Sequence, residues 1–311
     1  MNNYKSSAFK RNYGFWNETE QKCLSGAKIA IAGVGGDGFQ LGYKLAMMGV
    51  CNFSVADPET FEIENSNRVL GATTSAYGRN KAEVFRDMVH DIRPNVSIDI
   101  YTDGITEDNI EAFMNGATLV LDESELTRLE IGTMIARTAR KKNIPVLLVM
   151  NIGFSAIATS FHPKRGKTFE DIMGIPNKAS LKQIAKMKVD FSRCLPYVPN
   201  YSDISALQAV QDGASLPSIS QGVDIASAIG STEVFLHITA SANNHRRQPT
   251  WAPKFRYMDS YNGKSGVIRI PRLAHYFSLT KMIIRSWFRL NPRTSYRKIE
   301  RELRDRSLTE L

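Results

Sequence analysis

At 311 residues the chain can bury a full core, and its apolar fraction of 42% and charged fraction of 23% are those of an ordinary folded protein. No apolar run reaches the length a bilayer requires, and the basic residues of MNNYKSSAFKRNYGFW have no apolar stretch behind them, which argues against a membrane span or a secretory signal. Cys23, Cys51 and Cys194 are odd in number and widely spaced, which fits a reducing compartment, so a cytoplasmic location is expected.

The net charge of +9 is unevenly distributed: residues 1–240 hold 24 Lys/Arg against 26 Asp/Glu, and residues 241–311 hold 16 against 5. A basic end attracts nucleic acid, anionic lipid or an acidic protein, and a solvated basic tail has the same composition; charge alone does not choose.

In chain order, residues 27–32 read as a short buried strand that ends at a glycine cluster, followed by helical apolar spacing from Phe39 to Met48. A second strand at 52–56 ends on Asp57; a polar stretch leads to Gly78 and a helix over about 80–91, stopped by Pro94. Strands are expected at 96–101, 117–121 and 145–150, with helices near 107–115 and 125–142. Such alternation predicts an α/β fold, a Rossmann-like, doubly wound and mostly parallel sheet. Beyond Ile152 come a strand at 156–161, a Lys-rich region of loop and short helix, a buried helix over 222–242, and a hairpin of 254–261 with 267–270 around Asn262-Gly263. Residues 273–290 carry apolar side chains on one face and Lys281, Arg285 and Arg289 elsewhere, an amphipathic basic helix. The expected organisation is an N-terminal segment (1–25), a nucleotide-binding domain (26–160), an α+β elaboration on the substrate side (161–272) and a basic helical segment (273–311).

Gly33-Val34-Gly35-Gly36-Asp37-Gly38 stands after a strand and opens a helix. Glycines there let backbone approach a phosphate closely, and the helix N-terminus offers unpaired N–H groups with a favourable dipole. Asp57, about 20 residues on, is placed to accept from a ribose. Both features suit NAD as well as ATP.

The next segment separates the two ligands. Asp57-Pro58-Glu59-Thr60-Phe61-Glu62-Ile63-Glu64-Asn65-Ser66-Asn67-Arg68 followed by Gly78-Arg79-Asn80-Lys81-Ala82 resembles the ThiF/MoeB/HesA family of ubiquitin-activating-enzyme-like adenylyltransferases, whose pattern runs D-x-D-x-V-x-x-S-N-L-x-R-Q and then G-x-x-K-A. Upstream, Arg11-Asn12-Tyr13-Gly14-Phe15-Trp16-Asn17-Glu18-Thr19-Glu20-Gln21 is similar to the family's R-Q-x-x-L-W-G-x-x-x-Q. Three motifs in register cover about residues 8–160.

That resemblance implies ATP and Mg²⁺ as ligands and an acyl-adenylate as product. It implies that Arg68 and Lys81 contact phosphates, Asn65 helps place the reacting phosphate, and Asp57 holds the ribose. Gly33, Gly35, Gly36 and Gly38 would line the cradle, with Glu59 at the second acidic position. It further implies a homodimer in which Arg11 acts across the interface. The family's acidic D-x-T-D-N-x-x-x-R segment is two residues shorter here, so either Asp122 or Glu123 takes the metal position. Glu59 replaces an Asp, Ser66 a Leu, and Val69 a Gln. Zinc-binding members carry two C-x-x-C pairs, which this chain lacks, so no structural zinc is expected. Cys194 is the only candidate for a thiol nucleophile, with inert packing as the alternative. The five histidines show no metal-ligand spacing, and Trp251 and Tyr257 read as packing residues rather than base-stacking platforms.

The expected activity is ATP-dependent activation of a carboxylate with release of pyrophosphate, the carboxylate belonging to a ubiquitin-like protein, a peptide or a small acid. A tRNA-modifying relative suits the basic end. An NAD-dependent oxidoreductase would leave Arg68 and Lys81 unexplained, and a catalytically silent nucleotide-binding scaffold would account for the altered acidic motif.

Overall fold

The computed structural model describes residues 8–202, 210 and 216–270. Strands β1 (Lys28–Ala32), β2 (Asn52–Ala56), β3 (Ser97–Tyr101), β4 (Leu119–Asp122) and β5 (Val146–Ile152) run parallel in the order β3-β2-β1-β4-β5. Strands β6 (Ser155–Phe161), β7 (Lys254–Asp259) and β8 (Lys264–Arg269) continue the same sheet antiparallel. Helix α1 (Glu18–Gly26) precedes β1; α2 (Gly36–Met48), α3 (Lys81–Ile92), α4 (Ile110–Phe113) and α5 (Leu129–Lys142) connect the parallel strands. Between β6 and β7 lie the short α6 (Phe169–Met173), α7 (Leu181–Ile184) and α8 (Phe191–Cys194) and the long α9 (Ser220–Thr239).

The two-residue period of β1 divides the core. Ile29 and Ile31 face a layer with Phe39, Leu45 and Phe85, while Ala30 and Ala32 face a second layer with Phe113, Leu129 and Ile135. In the first layer Phe39 meets Phe61 and Phe85 edge-on, at centroid distances of 5.9 and 5.3 Å. Both faces of the sheet are covered at its centre, so β1, β2 and β4 are buried on both sides, while the edge strand β3 keeps Ser97 and Asp99 exposed.

Local chemistry sets the ends of these elements. Helix α2 stops at Gly49, whose φ of 108° no side chain accommodates comfortably, and its N–H caps the Leu45 and Ala46 carbonyls. Helix α3 starts after Asn80, whose Oδ1 accepts from the Ala82 N–H at 2.9 Å. Two helices are shorter than their apolar spacing predicted. The Thr106 and Asn109 side chains each accept from the other's backbone N–H, delaying α4 to Ile110. In the loop after β4, Ser124 bonds Asp122 and Thr127 bonds Glu125, so α5 begins at Leu129 rather than near Glu125. The buried helix expected over 222–242 is α9, and the expected hairpin is β7–β8. The amphipathic helix expected over 273–290, with the rest of the segment to 311, lies outside the described residues.

Helix α9 packs on β5 and β6 and against α1 and α2, and nearly every side of it is buried. Its glycines make this possible: a Cβ on Gly230 would stand 2.8 Å from Leu41 Cδ2, and one on Gly222 would stand 2.2 Å from the Gly153 carbonyl oxygen. In register, Ala32 pairs with Ala56 of β2 and with Asp122 of β4, so three parallel strands end level at one rim. Strand order reverses at β1, and the crevice outside these carboxyl ends is where doubly wound sheets bind ligands.

Close packing also governs α2 against β1. A Cβ on Gly42 would lie 2.7 Å from Ile31 Cδ1 and 2.8 Å from the Phe85 ring. Gly42→Val is expected to lower stability by about 1–3 kcal/mol through overpacking, read as a drop in the urea midpoint at unchanged slope; an unchanged midpoint would contradict this packing.

Candidate nucleotide site

The glycine turn joins β1 to α2. Gly33 has φ of 100°, and a Cβ there would fall 2.2 Å from the Glu123 carbonyl oxygen; a Cβ on Gly38 would fall 2.0 Å from the Gly33 oxygen. Only glycine fits either position. Around Gly35 there is open space, and Gly35 caps α2 without any side-chain hydrogen bond to the helix's first N–H groups. A thirteen-residue helix therefore presents unpaired amides and the positive end of its dipole toward the crevice.

Asp57, 4% exposed, is tied to this turn. Its Oδ2 accepts from the Val34 N–H at 2.8 Å and its Oδ1 from the Glu59 N–H at 2.9 Å. Burial raises its carboxyl above the ordinary value against the opposing pull of these amides and of Lys81. A carboxylate has about four lone-pair sites, so Asp57 holds the glycine turn and retains acceptor capacity for a hydroxyl.

The expected cations stand on the segment after β2. A 3-10 turn, Ile63–Asn67, is closed by Asn65, which is buried and whose Oδ1 accepts from the Glu62 N–H at 3.1 Å. Arg68 follows. Its stem lies over the first turn of α2, within 3.8 Å of where a Gly36 Cβ would be, and its Nη1 donates to the Glu64 carbonyl and Asn67 Oδ1. Lys81, 5% exposed at the start of α3, donates through Nζ to Glu59 Oε2 at 2.5 Å. Asn80 Nδ2 donates to the Asp57 carbonyl at 2.9 Å, linking that helix start to the end of β2. Arg68, Lys81, Asp57, Glu59 and the glycines thus converge on one rim. Arg11 is exposed in the 3-10 turn Lys10–Asn12, and its side chain makes no hydrogen bond or ion pair among the described residues.

The loop after β4 gives its three carboxylates different surroundings. Asp122 is 2% exposed, its Oδ1 accepts from the Ser124 hydroxyl at 2.6 Å, and burial pushes its carboxyl up to about 6. Glu123 sits beneath the glycine turn, its Oε1 buried with no partner, and burial together with Asp37 and Asp122 raises its carboxyl well above the ordinary value. The exposed carboxylate of this loop is Glu125, which lines a shallow cleft with Asp122, Ser124 and Arg128. Counting residues against a shortened motif did not single it out. Mg²⁺ takes one or two carboxylates together with substrate phosphates, so Asp122 and Glu125 form a fitting donor set.

Asp37 stands between Gly36 and Gly38 in the turn, and the sequence shows an acidic residue there without showing what it meets. Its Oδ2 accepts from the Asn151 N–H at 2.9 Å, and both its oxygens accept from Asn151 Nδ2. Asn151 Oδ1 in turn accepts from the Ser218 hydroxyl at 3.0 Å, and the Ser218 carbonyl accepts from Asn67 Nδ2. Burial pushes the Asp37 carboxyl up to about 7. Asn151 and Ser218 carry no sequence signal; they are brought in by β5 and by the start of α9.

Cys194 is a correction to the nucleophile expectation. It is fully buried in the second core layer, and burial pushes its thiol up to about 12, which leaves almost no thiolate at neutral pH.

A doubly wound sheet with a glycine turn and an uncapped helix N-terminus at the switch point defines a nucleotide-binding type of α/β fold. The chain belongs to the ThiF family, whose family model matches residues 9–276. It is 24% identical over 251 residues to tRNA threonylcarbamoyladenosine dehydratase of Escherichia coli K12, covering 75% of this chain and 93% of that protein. It is 25% identical over 149 residues to the uncharacterized protein MT1398 of Mycobacterium tuberculosis, covering 48% of this chain and 20% of the relative's length. Among solved structures, PaaA shares the fold with a TM-score of 0.63 at 17% identity, covering 88% of this chain and 76% of PaaA. E. coli MccB, solved with ATP, shares it with a TM-score of 0.63 at 15% identity, covering 88% and 73%. No helix among the described residues is long and apolar enough to cross a membrane.

A raised carboxyl means that the folded protein holds the Asp37 proton more tightly than the unfolded chain does, so this residue favours folding at low pH and opposes it as pH rises from 3.8 to about 7. Wild type is expected to lose stability relative to Asp37→Asn across that interval, measured by urea unfolding at several pH values. Parallel stability curves for the two proteins would refute the buried, proton-holding carboxyl.

Proposed function

We propose that this protein binds ATP in the crevice at the ends of β1, β2 and β4 and transfers its adenylyl group to a carboxylate. The observation that carries this reading is the Arg68 stem over the first turn of an uncapped helix, together with Lys81 near enough to Asp57, which holds that turn, to act on its carboxyl. In the reaction a carboxylate oxygen forms a bond to the α-phosphorus, the bond from that phosphorus to the bridging oxygen breaks, and pyrophosphate departs with the electron pair. The transition state spreads negative charge over phosphoryl oxygens, so catalysis here is positioning plus preorganised positive potential.

In this reading the α2 amides and Gly35 receive phosphate oxygens, and Arg68 neutralises charge from above the same turn. Lys81 exchanges part of its bond to the exposed Glu59 for a phosphate oxygen. Asn65 places the reacting phosphate, and Asp57 accepts from the ribose. Glu125, with Asp122 behind it, would hold Mg²⁺, which when bound neutralises polyphosphate charge. The assembly is a homodimer in which Arg11, without a side-chain partner among the described residues, reaches the neighbouring site. Cys194 takes no part, so the activated group passes to water, an amine or an external thiol. The family membership, the tRNA-dehydratase relative and the ATP-bound MccB fold neighbour support adenylation as the chemistry.

The test is exchange of radiolabelled pyrophosphate into ATP across a panel of peptides, small acids and tRNA. Lys81→Ala and Arg68→Ala are each expected to lower the exchange rate about 100-fold, the scale on which one charge-stabilising donor is lost. Equal exchange by wild type and Lys81→Ala would overturn the site, and no exchange with any acceptor would favour a silent scaffold.

A further inference from the structure

We propose that Asn67 and Ser218 are positioning residues that hold the Arg68 guanidinium in place for the polyphosphate of ATP, an inference that rests on the ATP-binding part of the proposed function. Arg68 Nη1 is occupied twice, donating to Asn67 Oδ1 at 2.9 Å and to the Glu64 carbonyl at 3.1 Å. Nε and Nη2 make no hydrogen bond or ion pair among the described residues. Those two groups form the edge of a guanidinium that grips a pair of phosphate oxygens at once. The stem of the same side chain lies over the first turn of α2 with α9 beside it: a Cβ on Gly36 would stand 3.8 Å from Arg68 Cγ and 3.0 Å from Val223 Cγ2. An anion at the uncapped end of α2 is therefore within reach of this side chain.

Asn67 is exposed, and a bond between an exposed amide and a guanidinium competes with water, so by itself it orders little. What holds Asn67 is a chain of hydrogen bonds across the crevice. Its Nδ2 donates to the Ser218 carbonyl at 3.2 Å, and the Ser218 hydroxyl donates to Asn151 Oδ1 at 3.0 Å. Asn151 ends the chain on Asp37, to which its N–H and its Nδ2 both donate at 2.9 Å. Asp37 belongs to the glycine turn, and Arg68 lies near enough to pull its carboxyl down against the effect of burial, so the chain returns to the crevice where it began. An amide at position 67 meets two demands, an acceptor for Arg68 and a donor for the Ser218 carbonyl. Fixing the guanidinium before the nucleotide arrives removes rotamer freedom that binding would otherwise remove, and a long cationic side chain has much of it to lose. Neither Asn67 nor Ser218 touches the reacting atoms in this scheme; both act through Arg68.

The experiment measures the ATP affinity of the full chain by calorimetry, in a double-mutant cycle with Arg68→Ala. Asn67→Ala and Ser218→Ala are each expected to weaken ATP binding about fivefold, the scale of one lost hydrogen bond. In the Arg68→Ala background neither is expected to change affinity by more than about twofold, because the side chain they position is gone. Ser218→Thr, which keeps the hydroxyl, is expected to bind ATP within about twofold of wild type. Asn67→Asp is expected to bind more weakly than Asn67→Ala, since a carboxylate pairs with Arg68, lacks the donor for Ser218 and repels the polyphosphate. Unchanged ATP affinity in both Asn67→Ala and Ser218→Ala would overturn the proposal. Losses that persist at full size in the Arg68→Ala background would do the same, as the mark of residues that only support the fold. Pyrophosphate exchange on the same preparations separates this role from the adenylation reading. Coupling to Arg68 without exchange by any acceptor defeats adenylation alone, and exchange without coupling defeats the positioning role alone.

Discussion

The backbone of the turn after β1 lies against the backbone of the loop after β4, closely enough that a methyl group on Gly33 would overlap the Glu123 carbonyl oxygen. This contact sets where α2 begins and which way its first amides point. Asp57 secures it from the other side through the Val34 N–H, and Asn80 ties the same strand end to the start of α3. The positions of Arg68 over Gly36 and of Lys81 beside Glu59 follow from that geometry. Cations placed around a misaligned turn would be ordinary surface charge, since an ion–dipole or ion–ion attraction loses most of its value once solvent enters between the partners.

Beneath this positive rim the protein buries acidic groups. Asp37, Asp122 and Glu123 all have carboxyls raised by burial, Asp37 to about 7 and Asp122 to about 6. A raised carboxyl carries less negative charge near neutral pH than an ordinary one, so Asp37 and Glu123 offset less of the positive field of Arg68, Lys81 and the α2 dipole than exposed carboxylates would, while Asp122 at about 6 is mostly ionised there. The same burial leaves Glu125 as the carboxylate of its loop that remains at the surface.

Helix α9 couples the two halves of the sheet to the crevice. A Cβ on Gly36 would stand 3.0 Å from Val223, and Gly222 lets the helix close on the Gly153 carbonyl. Just before the helix, Ser218 joins Asn67 on one side of the crevice to Asn151 on the other. Substitutions in α9 therefore act on the glycine turn and on the β5–β6 turn together, because a packed helix transmits displacement rather than absorbing it.

The amino-acid sequence alone determined the elements and their class. The continuous apolar run of β1, helical spacing from Phe39, Asn80 ahead of α3 and the Asn262-Gly263 turn are local signals, each readable over a few residues because propensity, capping and turn geometry are local physics. The glycine turn, Asp57, Arg68 and Lys81 were likewise legible, as their spacing follows the strand ends that carry them. What only the tertiary structure decided is what each side chain meets. Nothing around Cys194 in the chain announces that it is sealed in a core, nor does the shortened acidic loop say that Ser124 occupies Asp122 and leaves Glu125 exposed. Asn151, Ser218 and Tyr201 find their partners on strands and turns distant in sequence. Burial, partnership and the carboxyl shifts they cause depend on contacts between segments, and no window of sequence contains both sides of such a contact.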